Sequence, residues 1–205
     1  MLRPLLRHAW AKSILVLVSL LPFVWLCFGI VGDQLGPNPA EHLIRATGDW
    51  TLRFLCITLL ITPLRVLSKW PEWQLFRRSL GLLTFFYAVL HALCYTVFDM
   101  SLDWADILND IAKRPFITVG VAGFVLLSLL AATSFNAAVK AMGALRWRQL
   151  HRAVYAISVL AILHFFWMRA TKRNFSEVLI YASILSVLLG WRVFHFTKRS
   201  PAKVS

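Results

Sequence analysis

The chain has 205 residues, of which 59% are hydrophobic, and its mean hydropathy is +0.68. Soluble domains hold about 45–50% apolar residues, so this composition indicates a membrane protein and argues against an ordinary soluble enzyme. The formal net charge of +13 would suggest nucleic-acid binding in a soluble protein. Here the basic residues lie in short segments between apolar runs, which is typical of contact with a membrane surface.

Six apolar segments predict an all-α bundle of about six transmembrane helices, folded as one unit over residues 1–205. In chain order the segments are 13–32, 54–64, 80–98, 115–139, 153–168 and 178–191. The first, third and fourth contain no Asp, Glu, Lys or Arg and approach or exceed the ~18–20 residues needed to cross the bilayer. The other three are short, and basic residues at their ends must snorkel. No small-x-small cleavage site follows the first segment, which therefore predicts a retained span rather than a signal peptide.

The basic residues also predict an orientation in the bacterial inner membrane, with the N- and C-termini cytoplasmic. With the N-terminus inside, most of the 22 Lys and Arg residues fall on the inner side, and every acidic residue except Glu72 falls outside. Basic loops remain cytoplasmic, so the Lys/Arg bias carries this prediction. The inner group is Arg3, Arg7, Lys12, Arg65, Lys69, Arg77, Arg78, Lys140, Arg146, Arg148, Arg152, Arg192, Lys198, Arg199 and Lys203, and the outer group includes Lys172 and Arg173.

Motifs of soluble catalysis are missing from the sequence, which has no GxGxxG, GxxxxGK[ST], GxSxG or HExxH. The chain is therefore not expected to collect hydride by itself. The predicted spans contain no Asp or Glu, which weighs against proton or ion transport. The three cysteines all fall in apolar segments, where they are expected to be buried packing thiols.

Histidines within the apolar segments are the main functional signal. Intramembrane imidazole is costly and usually functional. His91 and His164 lie in the outer halves of the third and fifth segments, at matching depths. Two neutral imidazoles at one depth on neighbouring helices can bind one haem iron from opposite faces. The alternative is a pair of polar residues that hydrogen-bond between helices.

A second, inner haem is the hypothesis for His151, which precedes His164 by thirteen residues. This spacing corresponds to a rise of ~20 Å, and the two side chains would point roughly 140° apart on an ideal helix. The alternative is an interfacial histidine. Arg77 and Arg78 enter the third span at the depth of a partner, although arginine more often pairs with carboxylates such as haem propionates. His8 and His195 also lie on the inner side within possible reach, whereas His42 is expected to face solvent in an outer loop.

The outer loop over residues 99–113 mixes aspartates with apolar residues and predicts a short amphipathic helix on the outer surface. Asp103, Asp106 and Asp110 are candidates for docking an outer partner protein, because surface charge accelerates encounter.

The sequence resembles the MsrQ family, the haem-binding membrane subunits of bacterial protein-methionine-sulfoxide reductases, within the ferric-reductase-like transmembrane group. The resemblance covers nearly the whole chain, and its most specific parts are RWRQLHR and the His151–His164 spacing. The matching stretches are LLPFVWL (20–26), TGDW (47–50), LLITPLR (59–65), RRSLGLL (77–83), the His91 region, RPFITVG (114–120) and RWRQLHRAVYAISVLAILHFFW (146–167).

The resemblance implies haem b, one or two per chain, bound through His91, His151 and His164, together with FMN. It also implies electron transfer from the cytoplasmic side, through a flavin reductase or the quinone pool, to a periplasmic molybdopterin subunit. That partner would catalyse the reduction of methionine sulfoxide in oxidised envelope proteins. The sequence departs from NADPH oxidases in lacking the inner histidine of the third span near Arg77.

Two other functions compete with this one. A ferric reductase or oxidase would share the haem but deliver electrons to a small acceptor without an outer partner. A transporter or scaffold would use its histidines only to join helices, and would be colourless when purified.

Overall fold

A computed structural model describes residues 2–170 and 175–197, which fold entirely into helices and their connections. Six of these helical segments are long and apolar enough to cross a membrane, which confirms the predicted all-α bundle. A 3₁₀ helix (Pro71–Phe76) precedes α4, and a π-helical turn (Tyr95–Asp99) follows it. The α-helices are α1 (Leu2–Leu5), α2 (Ala9–Val31), α3 (Pro39–Ser68), α4 (Arg77–Cys94), α5 (Trp104–Lys113), α6 (Pro115–Ala132), α7 (Asn136–Met142), α8 (Ala144–Leu150), α9 (Ala153–Ala170) and α10 (Ser176–Thr197).

Helix α3 is far longer than the predicted span 54–64. It begins early because Asn38 caps its first turn, accepting a hydrogen bond from the backbone N–H of Glu41, and because Pro39 suits the first helical position. Its 30 residues extend about 45 Å, which exceeds the ~30 Å hydrocarbon layer. The helix therefore extends well beyond the predicted span 54–64, and the added N-terminal part carries Glu41 and Asp49.

The other predicted bounds differ at fewer residues. The fourth segment ends at Ala132 rather than 139, because the chain turns at Thr133 and restarts as α7. His151 lies in a turn between α8 and α9, so the 140° angle calculated for one straight helix does not apply.

We call the end of the bundle where α2 begins and α10 ends the terminal face, and the opposite end the distal face. The 3₁₀ helix and α7–α8 lie at the terminal face, and α5 lies at the distal face. Of the basic residues used to predict orientation, Lys172, Arg173, Lys198, Arg199 and Lys203 are outside the described residues.

Two helix pairs form the centre of the bundle, α3 with α4 and α6 with α9. One core cluster joins α3 to α6, α9 and α10 through residues such as Leu59, Leu127 and Ile157. A second joins α3 to α4 around Tyr87, which is fully buried. The two pairs meet where Phe85 stacks on Phe124, with ring centres 6.1 Å apart. This meeting of α4 with α6 brings the histidines of the two pairs together.

Proline within a span leaves a carbonyl without its helical donor, and the fold supplies another. Pro63 has no N–H for the carbonyl of Leu59, and Arg192 Nη2 donates to that oxygen at 2.6 Å. In α2, the Tyr87 hydroxyl donates at 2.7 Å to the carbonyl of Ser19, the neighbour of the Val18 carbonyl that Pro22 leaves without a helical donor. Arg192 and Tyr87 thus satisfy backbone acceptors inside the bundle.

Helix α5 matches the predicted amphipathic helix of the distal face. Asp103 caps it, accepting hydrogen bonds from the N–H groups of Ala105 and Asp106. Asp110 accepts a hydrogen bond from the Tyr95 hydroxyl at 2.7 Å and pairs with Arg114 at 2.8 Å. Asp103 and Asp110 therefore have structural partners, whereas Asp106 is exposed and has no side-chain hydrogen bond or ion pair with a described residue.

Candidate functional site

His91 of α4 and His164 of α9 lie against each other in the distal half of the bundle. Their ring centres are 6.1 Å apart, and the ring planes are nearly perpendicular at 83°. The structure thus brings together the two histidines that the sequence placed at one depth.

Each imidazole is held by a backbone carbonyl of the neighbouring helix. His91 Nδ1 lies 2.8 Å from the Ile44 carbonyl of α3, and His164 Nδ1 lies 2.7 Å from the Phe116 carbonyl of α6. A carbonyl only accepts, so Nδ1 carries the proton and Nε2 of the neutral ring keeps its lone pair. Among the described residues, no hydrogen bond reaches either Nε2 atom. Both rings therefore have the tautomer of a metal ligand, with the second nitrogen oriented by a backbone acceptor.

Glycines give the two rings room to reach these carbonyls. A Cβ at Gly48 would lie 3.1 Å from Nδ1 and Cε1 of His91, and a Cβ at Gly120 would lie 2.8 Å from Nδ1 of His164. Gly48 follows Ile44 by four residues, and Gly120 follows Phe116 by four. Each ring thus packs over one turn of helix that ends in glycine. We call these two turns the glycine seats.

This arrangement fits a haem iron bound between the two rings. Metal–imidazole nitrogen bonds are about 2 Å long, so two imidazoles on opposite sides of one metal ion have ring centres about 6 Å apart. The observed 6.1 Å matches this separation. No group of three or more His, Cys, Asp or Glu side chains able to hold a metal ion occurs in the described part of the chain. The site therefore suits a ligand that provides most of the metal's coordination itself, as a porphyrin does.

A second candidate site is a pocket of about 170 Å³ in the terminal half, between α3, α4, α6 and α9. Polar and apolar side chains share its wall. We call it the terminal pocket, and its lining includes Thr58, Gln74, Arg77, Arg78, Thr84, Ser134, Trp147 and His151. Two predicted residues, Arg77 and His151, are thus brought to one pocket.

His151 is held differently from the distal pair. Its Nε2 lies 3.2 Å from the Thr133 hydroxyl, and its ring stacks on Trp147 with centres 4.1 Å apart. Trp147 in turn donates from its indole N–H to the Thr133 carbonyl at 2.9 Å. The RWRQLHR stretch therefore places Trp147 inward, between exposed arginines, where it fixes His151 at the end of α6. Metal binding through Nε2 would have to replace the contact with Thr133.

The two neighbouring arginines have different surroundings. Arg78 donates to the side-chain carbonyl of Asn136 at 2.8 Å and so links α4 to α7. Arg77 makes no hydrogen bond or ion pair with a described residue. It lies within electrostatic range of His151, Arg192 and Arg65.

The remaining histidines are separate from both sites. His8 stacks on Trp10 and His195 stacks on Trp191, and neither lines the terminal pocket. His42 is exposed as expected, but it belongs to α3 rather than to a loop. Sequence reasoning missed the glycine seats, Thr133 and Arg192. The available signal for the seats was the presence of Gly48 and Gly120 themselves, because a glycine within a helix allows a close approach by a neighbouring group.

Six spans with paired histidines on adjacent helices define a class of membrane proteins that handle redox metals. The family described as ferric reductase like transmembrane component matches residues 47–162, more than half of the chain. This region includes both distal histidines, His151 and Arg77.

Comparison with curated proteins narrows the class. A relative from Polaromonas naphthalenivorans is 60% identical over 200 residues, covering 98% of this chain and 91% of its own length. Relatives from Herminiimonas arsenicoxydans and Caulobacter vibrioides are 52% and 40% identical, over 89% and 98% of this chain and 84% and 94% of their own lengths. All three are named protein-methionine-sulfoxide reductase heme-binding subunit MsrQ. The chain belongs to the MsrQ family.

Proposed function

We propose that the chain is a membrane cytochrome b, a single haem-binding unit over residues 1–205 that relays electrons across the bacterial inner membrane. The observation that carries this proposal is the distal pair, two imidazoles with ring centres 6.1 Å apart, each with Nδ1 on a backbone carbonyl and with no hydrogen bond from a described residue to Nε2. The names of the relatives agree with haem as the ligand.

Haem b supplies one-electron chemistry when bound, and the residues of the chain supply its position and surroundings. His91 and His164 are the proposed axial ligands. The Ile44 and Phe116 carbonyls keep both rings in the required tautomer, which raises their basicity as ligands. The apolar helices around the rings exclude water, and a low dielectric affects the potential of a bound metal.

For the terminal pocket we propose a second cofactor position that involves Arg77 and His151. His151 would act as an iron ligand of a second haem after releasing Thr133. Arg77 has no carboxylate partner among the described residues, so it is available to pair with an acidic group of that cofactor. FMN, which the family resemblance implies, is assigned to no particular residues.

We propose that the terminal face is cytoplasmic, because basic residues concentrate there. Electrons would enter at that face from a flavin reductase or quinol, and leave at the distal face. The acceptor would be a periplasmic molybdopterin-containing subunit that reduces methionine sulfoxide in oxidised envelope proteins. Catalysis would then belong to the partner, and this chain would be its electron-transfer subunit.

The test is an optical spectrum of the detergent-purified protein, oxidised and dithionite-reduced, for the wild type and four variants. His91→Ala and His164→Ala should abolish the b-type bands of the distal site, and His151→Ala should diminish the total haem. His42→Ala removes an exposed histidine and should leave the spectrum unchanged, which controls for loss of any imidazole. A haem-free spectrum of folded wild-type protein from haem-replete cells would refute the proposal.

A further inference from the structure

A cluster of three arginines at the terminal face has no acidic partner among the described residues. Arg65, Arg77 and Arg192 come from α3, α4 and α10. Arg192 bonds to the Leu59 carbonyl and to Thr62 Oγ1, and Arg65 lies three residues beyond Thr62, on the same side of α3. Arg77 lines the terminal pocket together with Leu59, the residue whose carbonyl accepts a hydrogen bond from Arg192.

Four other arginines in the described part of the chain form ion pairs. Arg45, Arg114 and Arg169 pair with Glu41, Asp110 and Glu177 at the distal face, and Arg7 pairs with Glu72 at the terminal face. Among the described residues, neither Arg65 nor Arg77 forms an ion pair or hydrogen bond. Bringing three like charges together is unfavourable unless an anion joins them.

Arg192 is organised in advance for such an anion. Three hydrogen bonds fix its guanidinium, to the Leu59 carbonyl (2.6 Å), Thr62 Oγ1 (3.2 Å) and the Tyr155 hydroxyl (3.2 Å). Its Nε is buried and has no partner in the described structure. A guanidinium fixed in this way loses little conformational entropy when it binds a phosphate.

The surroundings of the cluster face the lipid. Tyr155 is 38% exposed, and the nearby apolar side chains of Leu67, Val159 and Val193 are 73%, 59% and 65% exposed. A ligand that reaches the arginines from this side has to bring its own apolar part. Basic pockets between helices at a membrane surface bind anionic lipid head groups for this reason.

We propose that Arg65, Arg77 and Arg192 form a binding site for the phosphate of an anionic phospholipid in the leaflet at the terminal face. The phosphodiester accepts hydrogen bonds from the guanidinium groups, and its acyl chains lie along the exposed apolar surface of α9 and α10. Arg77 also lines the terminal pocket, so this site competes with the second cofactor position for Arg77, but it does not depend on the haem proposed at the distal pair.

The experiment uses the full-length protein in detergent, with phosphatidylglycerol or phosphatidylcholine added, and measures bound lipid by native mass spectrometry. Wild-type protein should retain phosphatidylglycerol in preference to phosphatidylcholine. Arg65→Gln should bind phosphatidylglycerol about fivefold more weakly, the expected effect of one basic residue at a membrane surface. Arg65→Lys keeps the charge and should recover most of the binding.

The matched control is Arg146→Gln, which removes one exposed charge from α8 at the same face and should bind the lipid like the wild type. Equal weakening in both glutamine variants, or equal retention of the two lipids, would overturn the proposal. Competition by millimolar inorganic phosphate would assign the site to a free anion instead. Haem loss in Arg65→Gln with unchanged lipid binding would assign the arginine cluster to a cofactor. The haem spectrum of each variant also shows whether the distal site has folded.

Discussion

The lack of a side chain at two glycines determines where the distal histidines lie. At the glycine seats, the ring of a histidine occupies the space that a Cβ would fill, so the ring reaches a carbonyl one turn earlier on the facing helix. The closest approach, 2.8 Å from a Cβ at Gly120 to Nδ1 of His164, is shorter than real Cβ contacts allow. The corresponding 3.1 Å at Gly48 is tight but less severe.

Gly120→Ala should therefore displace His164 and lower the haem content of the purified protein several-fold. The physical reason is that the added methyl group competes with the bond between Nδ1 and the Phe116 carbonyl. Haem per protein, measured from the reduced b-type bands, is the readout. Gly48→Ala should show a smaller loss in the same assay, because its contact is longer.

Gly123→Ala is the matched control on the same helix. A Cβ there would lie 3.7 Å from Leu160 Cβ, an ordinary van der Waals contact. The variant should keep wild-type haem content, and alanine should slightly favour the helix. If Gly123→Ala loses as much haem as Gly120→Ala, helix propensity or packing in α6 is responsible, and the glycine seats have no special role.

Sequence alone was sufficient for His91 and His164, because a histidine in an apolar run can be placed by depth. It was not sufficient for the seats, since which helix faces which ring depends on the pairing of α3 with α4 and of α6 with α9. The contact between His151 and Thr133 could not be predicted from the sequence either, because the predicted span ran through Thr133 without a break.

At the scale of the helix, α3 shows how a long element tolerates a proline within a membrane. Pro63 deprives the Leu59 carbonyl of its donor, and Arg192 replaces that donor from α10. The sequence predicted only residues 54–64 of this helix, since apolar content stops at Arg53 and Arg65. The capping residue Asn38 and the following proline were the signals of its true start.

Arg192→Leu should lower the free energy of unfolding by about 1–3 kcal/mol, because the buried Leu59 carbonyl loses the side-chain donor that replaces its helical one. The cost should be smaller in a Pro63→Ala background, where the alanine N–H can bond the Leu59 carbonyl within the helix. A double-mutant cycle on unfolding in mixed detergent should give a coupling of roughly 1 kcal/mol.

Pro22→Ala provides the control cycle, because Pro22 is in α2 and the carbonyls near it have no bond to Arg192. Arg192→Leu should cost the same with and without Pro22. Additive effects of Arg192→Leu and Pro63→Ala would show that the arginine stabilises the protein through Thr62 and Tyr155 alone.

Over the whole molecule, charge is divided between the two faces. Eight of the nine acidic residues lie in the distal half, with Glu72 as the exception. This polarity was evident from the sequence. Which carboxylates are free was not, because Asp103 is used as a helix cap and Asp110 is paired with Tyr95 and Arg114. Of the predicted docking residues, Asp106 is thus the one whose carboxylate has no side-chain hydrogen bond or ion pair with a described residue.

Asp106→Asn should therefore slow electron delivery to the soluble reductase subunit by roughly twofold to fivefold at low ionic strength, because an exposed charge acts mainly on the rate of encounter. The difference should disappear as salt screens the charge. Stopped-flow reoxidation of the haem by the partner, over a range of salt concentrations, measures both effects. Asp33→Asn is the matched control, since it removes an exposed distal-face charge from the connection between α2 and α3. Similar slowing by both variants would indicate attraction by the net charge of the face. Slowing by Asp106→Asn alone would place the docking surface on α5, and an unchanged rate in both would exclude electrostatic docking at this face.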